Sequence, residues 1–158
     1  FGGALSREAS KSAFFAWLYG SKVAASSAEG KRLEEVYDKG TLLDQYWDGK
    51  KVYTPYRKEI DNVDQHHALN YIVQSTTAEL TLLQAIKINH LLKTHGTKSA
   101  ISCIIHDSIV LDFAPEDENL LPHIKKLMSS TKFGDFGVNI SKGLNLGALS
   151  KKEKYNYG

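Results

Sequence analysis

The sequence predicts an α+β fold, in which antiparallel strands are packed by helices and a small helical lobe stands on the N-terminal side. Three observations lead there. An amphipathic segment free of helix breakers opens the chain, a much longer helical stretch follows Asp64, and two β-rich runs then flank the dipeptide His106-Asp107. With 158 residues, 42% of them apolar and 24% charged, the chain can build one compact core and has ordinary globular composition.

Taken in order, Ala13, Phe14, Trp17 and Leu18 recur at helical spacing until Gly20 supplies a stop, so a helix is expected over about 5–19. Glu29–Asp38 forms a second, shorter helical candidate, followed by Gly40 and a mixed stretch to Gly49. Lys50–Thr54 looks like a short strand ended by Pro55. Asp64 can cap a long helix to about His95, with Leu69, Ile72, Val73, Leu80, Leu83 and Ile86 on its core face and Gly96 as its C-terminal signal. Ser99–Ile105 and Ser108–Phe113 then form a hairpin whose very tight turn displays Asp107 between two buried strands. Pro115 opens another amphipathic helix to about Ser130, with Leu120, Leu121, Ile124, Leu127 and Met128 inward. Gly137–Ser141 is a last strand candidate, and the polar tail Lys151–Gly158 reads as loose.

Several function classes are excluded at this level. No apolar run reaches the ~18 residues that span a bilayer, and the start Phe1-Gly2-Gly3-Ala4 lacks a basic-then-apolar signal. An intracellular, cytoplasmic protein with no membrane partner is therefore expected. The single cysteine, Cys103, lies in the apolar run Ile101–Ile105 and reads as a buried reduced thiol, so neither a disulfide framework nor a Cys-based metal site is available. Ala114-Pro115-Glu116 and Asp135-Phe136-Gly137 mimic kinase signatures in the wrong order, and no phosphate-binding Gly-rich loop or His-Glu-x-x-His run exists. His90 and His95 read as ordinary helix-end residues. A net charge of +2 decides nothing about partners, because nucleic-acid binding depends on where basic residues cluster.

On the first helix Arg7, Lys11, Phe15 and Tyr19 recur every four residues and form one gently winding stripe of about 18 Å. Two cations lie at one end and two rings at the other, the polarity of a nucleoside triphosphate. An Arg fork suits terminal phosphate oxygens, a Lys ammonium suits the phosphate under attack, and aromatic faces suit sugar and base. The bland alternative is an amphipathic helix with Phe and Tyr in the core and the cations solvated. Arg7, Lys11, Phe15, Tyr19 and Gly20 together match R-x-x-x-K-x-x-x-F-x-x-x-Y-G, and a chance match at all five positions has odds on the order of 10⁻⁴ or less. This pattern resembles the fingers helix of family A (DNA polymerase I type) DNA polymerases. The resemblance implies that Arg7 and Lys11 bind the incoming triphosphate, that Phe15 lies by its sugar, and that Tyr19 lies by the template base.

Asn70 and Gln74 stand four apart on the long helix, with His66, His67, Thr77 and Thr81 continuing a polar side that an ordinary wet helix face would also explain. The stretch from His67 to Glu79 is similar to the family's palm segment, in which Asn and Gln at this spacing meet primer–template DNA. Amides suit that task because each carries donors and an acceptor, and minor-groove edges present acceptors common to all base pairs. Upstream, Gly49-Lys50-Lys51-Val52-Tyr53-Thr54-Pro55 resembles the G-R-R-L-Y-L-P run of bacterial members. His66 stands where the family commonly carries Arg, and the Gly20–His66 interval is shorter than in bacterial enzymes, as a viral or plasmid member would have it.

Ile104–Leu111 resembles the family's V-H-D-E hairpin, where the Asp binds catalytic magnesium and the His lies near the primer terminus. Asp is also simply a good turn residue. By the resemblance, Asp107 is a metal ligand and catalytic with Lys11, and His106 contacts DNA; Ser108 replaces the usual Glu. Phosphoryl transfer to a primer 3′-hydroxyl uses divalent ions held by hard oxygen ligands.

The resemblance covers about residues 5–147, with Val138–Asn145 similar to the closing palm strand. It assigns 1–60 to a fingers portion and 61–158 to a palm portion. The implied function is template-directed DNA synthesis from dNTPs on primer–template DNA. The family's other metal-binding Asp belongs to a strand about fifty residues before the fingers helix. Phe1 in place of an initiator Met therefore points to an excerpt of a longer polymerase or one half of a split enzyme, whose two-ion magnesium site needs that upstream segment as partner. The stripe is expected to face the hairpin tip across a cleft. A different class also fits the residues: a non-catalytic nucleic-acid-binding remnant that keeps the stripe without the chemistry.

Overall fold

The computed structural model describes residues 6–20 and 26–152, with Arg7 and residues 150–152 described by backbone alone. The expected helix start at residue 5 and the end of the tail, 153–158, lie outside the described residues. The fold is α+β, and its described strands pair as four two-stranded antiparallel ladders. Two compact units divide the chain, Phe1–Thr77 and Ala78–Gly158.

In the first unit, helix α1 (Arg7–Leu18) starts because the Ser6 hydroxyl accepts the Ala9 N–H at 3.2 Å. It stops at Gly20, whose φ of +77° is open to glycine at little cost. A methyl group at Gly20 would also lie 3.1 Å from the His66 ring, so the helix end and that imidazole approach closely only because the side chain is absent. Helix α2 (Ala28–Val36) is capped by Ser27. Helix α3 (Lys39–Tyr46) corrects the expectation of an irregular stretch after Gly40. Asp38 caps it by accepting the Thr41 N–H at 2.9 Å, and Gly40 falls in the first turn, where a cap outweighs its weak propensity.

Strand β1 (Val52–Tyr53) is shorter than expected and pairs with an unanticipated β2 (Glu59–Ile60). Their loop is fixed by Thr54, which is buried and whose hydroxyl accepts the Tyr56 and Lys58 N–H groups at 3.3 and 3.1 Å. Arg57 N–H closes the turn on the Thr54 carbonyl at 2.8 Å and takes φ +67°. That left-handed conformation costs a non-glycine residue about 1 kcal/mol. The unit has two apolar clusters: Trp17, Leu18, Leu33 and Leu69 form one, and Val52, Val63, Ala68 and Ile72 the other, with Leu43 packed against both.

Helix α4 (Gln65–Thr94) matches the expected long helix, with the Asp64 carboxylate accepting the His67 N–H at 3.0 Å and Gly96 turning out at φ +61°. The expected core face holds for Leu69 and Ile72, holds in part for the half-buried Leu80, and fails for the other three. Val73, Leu83 and Ile86 are exposed, Ile86 to 64%, while Thr81, Gln84, Ala85, Ile88 and Leu92 are buried. Apolar residues surround this helix on nearly all sides, so no single stripe serves its length and each half buries its own set. Thr81, expected on the polar side, is thus a buried residue.

The second unit holds the hairpin β3 (Ala100–Ile105) and β4 (Ser108–Asp112), with Ile105 paired to Ser108. Its strands are not buried as expected: most of β3 is exposed, Cys103 included, and β4 is half-buried only along Ile109–Leu111. The register shift between Ile101 and Cys103 explains the exposure of Cys103. The bulge lets Ile101 and Ile104 oppose Leu111 and Ile109, while Cys103 turns outward opposite Val110. The helix expected from Pro115 is split into a 3-10 turn (Pro115–Leu120) and α5 (Leu121–Ser129). Pro122 has no N–H to continue an α-helical ladder backward, so the α-helix begins afresh around it. Leu120 and Ile124 are buried with Ile88 and Leu92, and Ile101, Ile109, Leu111, Phe113 and Leu127 pack against that cluster.

Strands β5 (Ser130–Thr131) and β6 (Gly134–Asp135) form a small hairpin that was not expected. Strand β7 (Ile140–Lys142) begins later than the Gly137 start expected for it and pairs with β8 (Ser150–Lys152), so the first tail residues join a ladder instead of being loose. The buried Gln84 amide donates to the Ser130 carbonyl at 2.8 Å, linking α4 to this region.

Asp117 ties the 3-10 turn to the start of the hairpin by accepting the Ser99 hydroxyl at 2.7 Å and the Ser99 N–H at 2.9 Å. The hydroxyl first, and then the N–H, hold its carboxyl below the usual carboxylate range. A depressed native pKa adds stability above the unfolded value, and that contribution fades as pH falls through the native value. Asp117→Asn should therefore lower Tm at pH 7, and the gap to wild type should close on acidification through the carboxylate range. Melts across that range check it; a gap independent of pH contradicts it.

Candidate active site

The stripe on α1 begins at Arg7, which lies in the helix's first turn and whose side chain is outside the described residues. Lys11, Phe15 and Tyr19 follow on one exposed side, Phe15 and Tyr19 being 36% and 38% exposed. Their rings stack at 5.7 Å with an interplanar angle of 16°, and the Lys11 ammonium lies 5.7 Å from the Phe15 ring centre. The sequence could equally have put Phe15 and Tyr19 in the core. The core position is instead held by Trp17, 1% exposed, together with Leu18.

Trp17 is what turns the stripe outward. Its indole N–H donates to Glu34 at 2.9 Å, Phe14 and Tyr37 lie 5.7 and 6.0 Å from it, and the Lys39 ammonium sits 4.1 Å over its ring. Lys39 in turn pairs with Glu34 at 2.8 Å. Sequence reasoning placed Trp17 only as one apolar residue among several, and its Glu34 and Lys39 partners went unseen. The signal lay in the phase: Trp17 falls on the side of α1 away from the four-residue stripe.

On α4, Asn70 and Gln74 share a side, but their environments differ. Gln74 is exposed, whereas Asn70 is half-buried with its carbonyl oxygen shielded and without a hydrogen-bond partner among the described residues. Such an acceptor is costly to leave unmatched. His66 and His67 are exposed, and the His67 imidazole lies 2.9 Å from Asp64. Their edge-to-face rings are 5.2 Å apart. His95 bonds back to the Leu91 carbonyl at 2.9 Å, in keeping with a helix-end role.

In the second unit His106 and Asp107 form the whole turn between β3 and β4, and both are exposed. His106 adopts φ +54°, a conformation costing about 1 kcal/mol that a two-residue hairpin turn imposes. Among the described residues no hydrogen bond or ion pair engages the Asp107 carboxylate, so its oxygens are available to a ligand. As a hard oxygen donor Asp107 suits one magnesium position. Among the described residues no group of three or more His, Cys, Asp or Glu gathers to hold a metal, so this donor set falls short of a complete ion site. Nor is any helix among them long and apolar enough to cross a membrane.

Over 69 residues the chain is 41% identical to a DNA polymerase of Bacillus phage SP01. It is related to a DNA polymerase. The match takes in 39% of this chain and 7% of the phage protein, so the chain spans a small part of that relative's length. No family model matches, and no solved structure matches.

Proposed function

We propose that this chain is the C-terminal fingers and palm portion of a viral family A DNA polymerase and takes part in nucleotidyl transfer from a dNTP to a primer 3′-hydroxyl. The observation that carries the reading is the outward stripe of α1, with Lys11 leading into stacked, exposed rings at Phe15 and Tyr19 while Trp17 fills the core. Exposed aromatic rings on a helix that already has an indole to bury call for a ligand, and a triphosphate with its sugar and base has the matching polarity. The relationship to a phage DNA polymerase adds independent support.

In this reading Arg7 and Lys11 bind and orient the triphosphate, Lys11 nearest the phosphate under attack. Phe15 and Tyr19 position the sugar and the template base. Asn70 and Gln74 contact the primer–template minor groove, their amide N–H groups donating to the acceptors there. His106 lies by the primer terminus. Asp107 would hold magnesium with a carboxylate from a further polymerase segment; bound there, the ion supplies charge neutralisation. A non-catalytic nucleic-acid-binding remnant, keeping the α1 stripe without the chemistry, is the second reading.

One titration separates the two. Magnesium-dependent dNTP binding should weaken about 10- to 100-fold on Lys11→Ala, the loss of one charge-assisted contact of about 1.5–3 kcal/mol. DNA binding without any dNTP effect would favour the remnant.

A further inference from the structure

The β1–β2 loop carries a charge that its own fold does not use. Arg57 occupies a left-handed position, φ +67°, where glycine is the favoured residue. The turn is already fixed by Thr54, which receives the N–H groups of Tyr56, Arg57 and Lys58. The neighbouring carboxylates are committed elsewhere. Asp48 accepts the Lys50 and Lys51 N–H groups and the Tyr53 hydroxyl, while Glu59 and Asp61 both face Lys51 at 3.4 and 3.0 Å. Arg57 and Lys58 are exposed, and neither has an acidic partner among the described residues.

A strained backbone position occupied by an unpaired guanidinium, beside a second unpaired cation on a pinned turn, is a preset anion grip. We infer that the Arg57-Lys58 tip of the β1–β2 hairpin clamps backbone phosphates of duplex DNA. The inference rests on the polymerase reading for its ligand and adds a contact outside the residues assigned there. Two adjacent cations on a rigid tip suit successive phosphates, and such contacts position a duplex without reading its sequence.

The test is DNA affinity of the 158-residue chain, measured by fluorescence anisotropy with a labelled primer–template duplex over a salt series. Removing one cation from a phosphate should lower the slope of log affinity against log salt by about one, so Arg57→Gly should lower it by about one and Arg57→Gly/Lys58→Ala by about two. Arg57→Gly should also raise Tm by about 2–4 °C, because glycine relieves the turn. Arg32→Ala, removing an exposed charge on α2, should leave the slope unchanged. Wild-type binding with unaltered slopes in both tip variants overturns the clamp and leaves the polymerase reading standing. An equal effect of Arg32→Ala, or a fall in Tm with Arg57→Gly, overturns it as well. Absence of DNA binding by wild type also overturns the clamp, and dNTP binding sensitive to Lys11→Ala then reads the polymerase assignment separately.

Discussion

Asp107→Asn, placed in the polymerase that carries this segment, should abolish primer extension while primer–template binding survives. The carboxylate stands at the tip of a two-residue turn whose strands are locked by the Ile105–Ser108 and Ile104–Ile109 pairs, so the amide would occupy the same place without the charge. No described residue depends on Asp107 for a hydrogen bond or ion pair, which separates its chemistry from stability. Loss of a magnesium ligand removes several kcal/mol of charge stabilisation, and at about 1.4 kcal/mol per decade the rate should fall by roughly 10³-fold or more. Single-turnover extension with a filter-binding control measures both effects. Extension within a few-fold of wild type would remove Asp107 from the catalytic residues.

Trp17→Ala should unfold the N-terminal unit before it alters any chemistry. Trp17 is 1% exposed, lies in the cluster with Leu18, Leu33 and Leu69, and joins α1 to Glu34 and Lys39 through its indole. Truncating a buried indole costs about 3–5 kcal/mol, a large share of the ~5–15 kcal/mol that holds a domain together. The expected loss in Tm is roughly 6–20 °C, seen in a circular dichroism melt. Trp17→Phe should lose less, since a ring remains and only the bond to Glu34 and part of the packing go. dNTP affinity should fall with Trp17→Ala because the stripe of Lys11, Phe15 and Tyr19 loses its support. An unchanged melting curve would contradict the role given to Trp17.

The parts of this structure legible in the sequence are those that announce themselves by caps, stops and long periods. Asp64 and Gly96 bracket α4 because a carboxylate can satisfy free N–H groups and glycine can turn left-handed. The His106-Asp107 turn was legible because β-branched runs abut it on both sides. Strands β2, β5, β6 and β8 have two or three residues each, too few for any alternation to register. Helix α3 was hidden by Gly40, whose placement in a capped first turn only the Asp38–Thr41 bond reveals. Cys103 was misplaced because one bulge reverses the inward and outward faces of a strand. Val73, Leu83 and Ile86 were misplaced because a helix with apolar residues all round carries no phase to read.

For the candidate site, the residue types and spacings were legible, and their surroundings were not. That Phe15 and Tyr19 stay outside depends on Trp17 packing against Leu33 and Leu69, which are distant in sequence. That Asn70 is half-buried while Gln74 is exposed depends on neighbours no helical period specifies.

A structure of the polymerase with primer–template DNA, an incoming dNTP and magnesium tests the central claim most directly. The account predicts the Lys11 ammonium within hydrogen-bond reach of the triphosphate, Phe15 and Tyr19 against the sugar and template base, and an Asp107 oxygen about 2.1 Å from an ion. A nucleotide bound away from α1, with Asp107 remote from every ion, would contradict it.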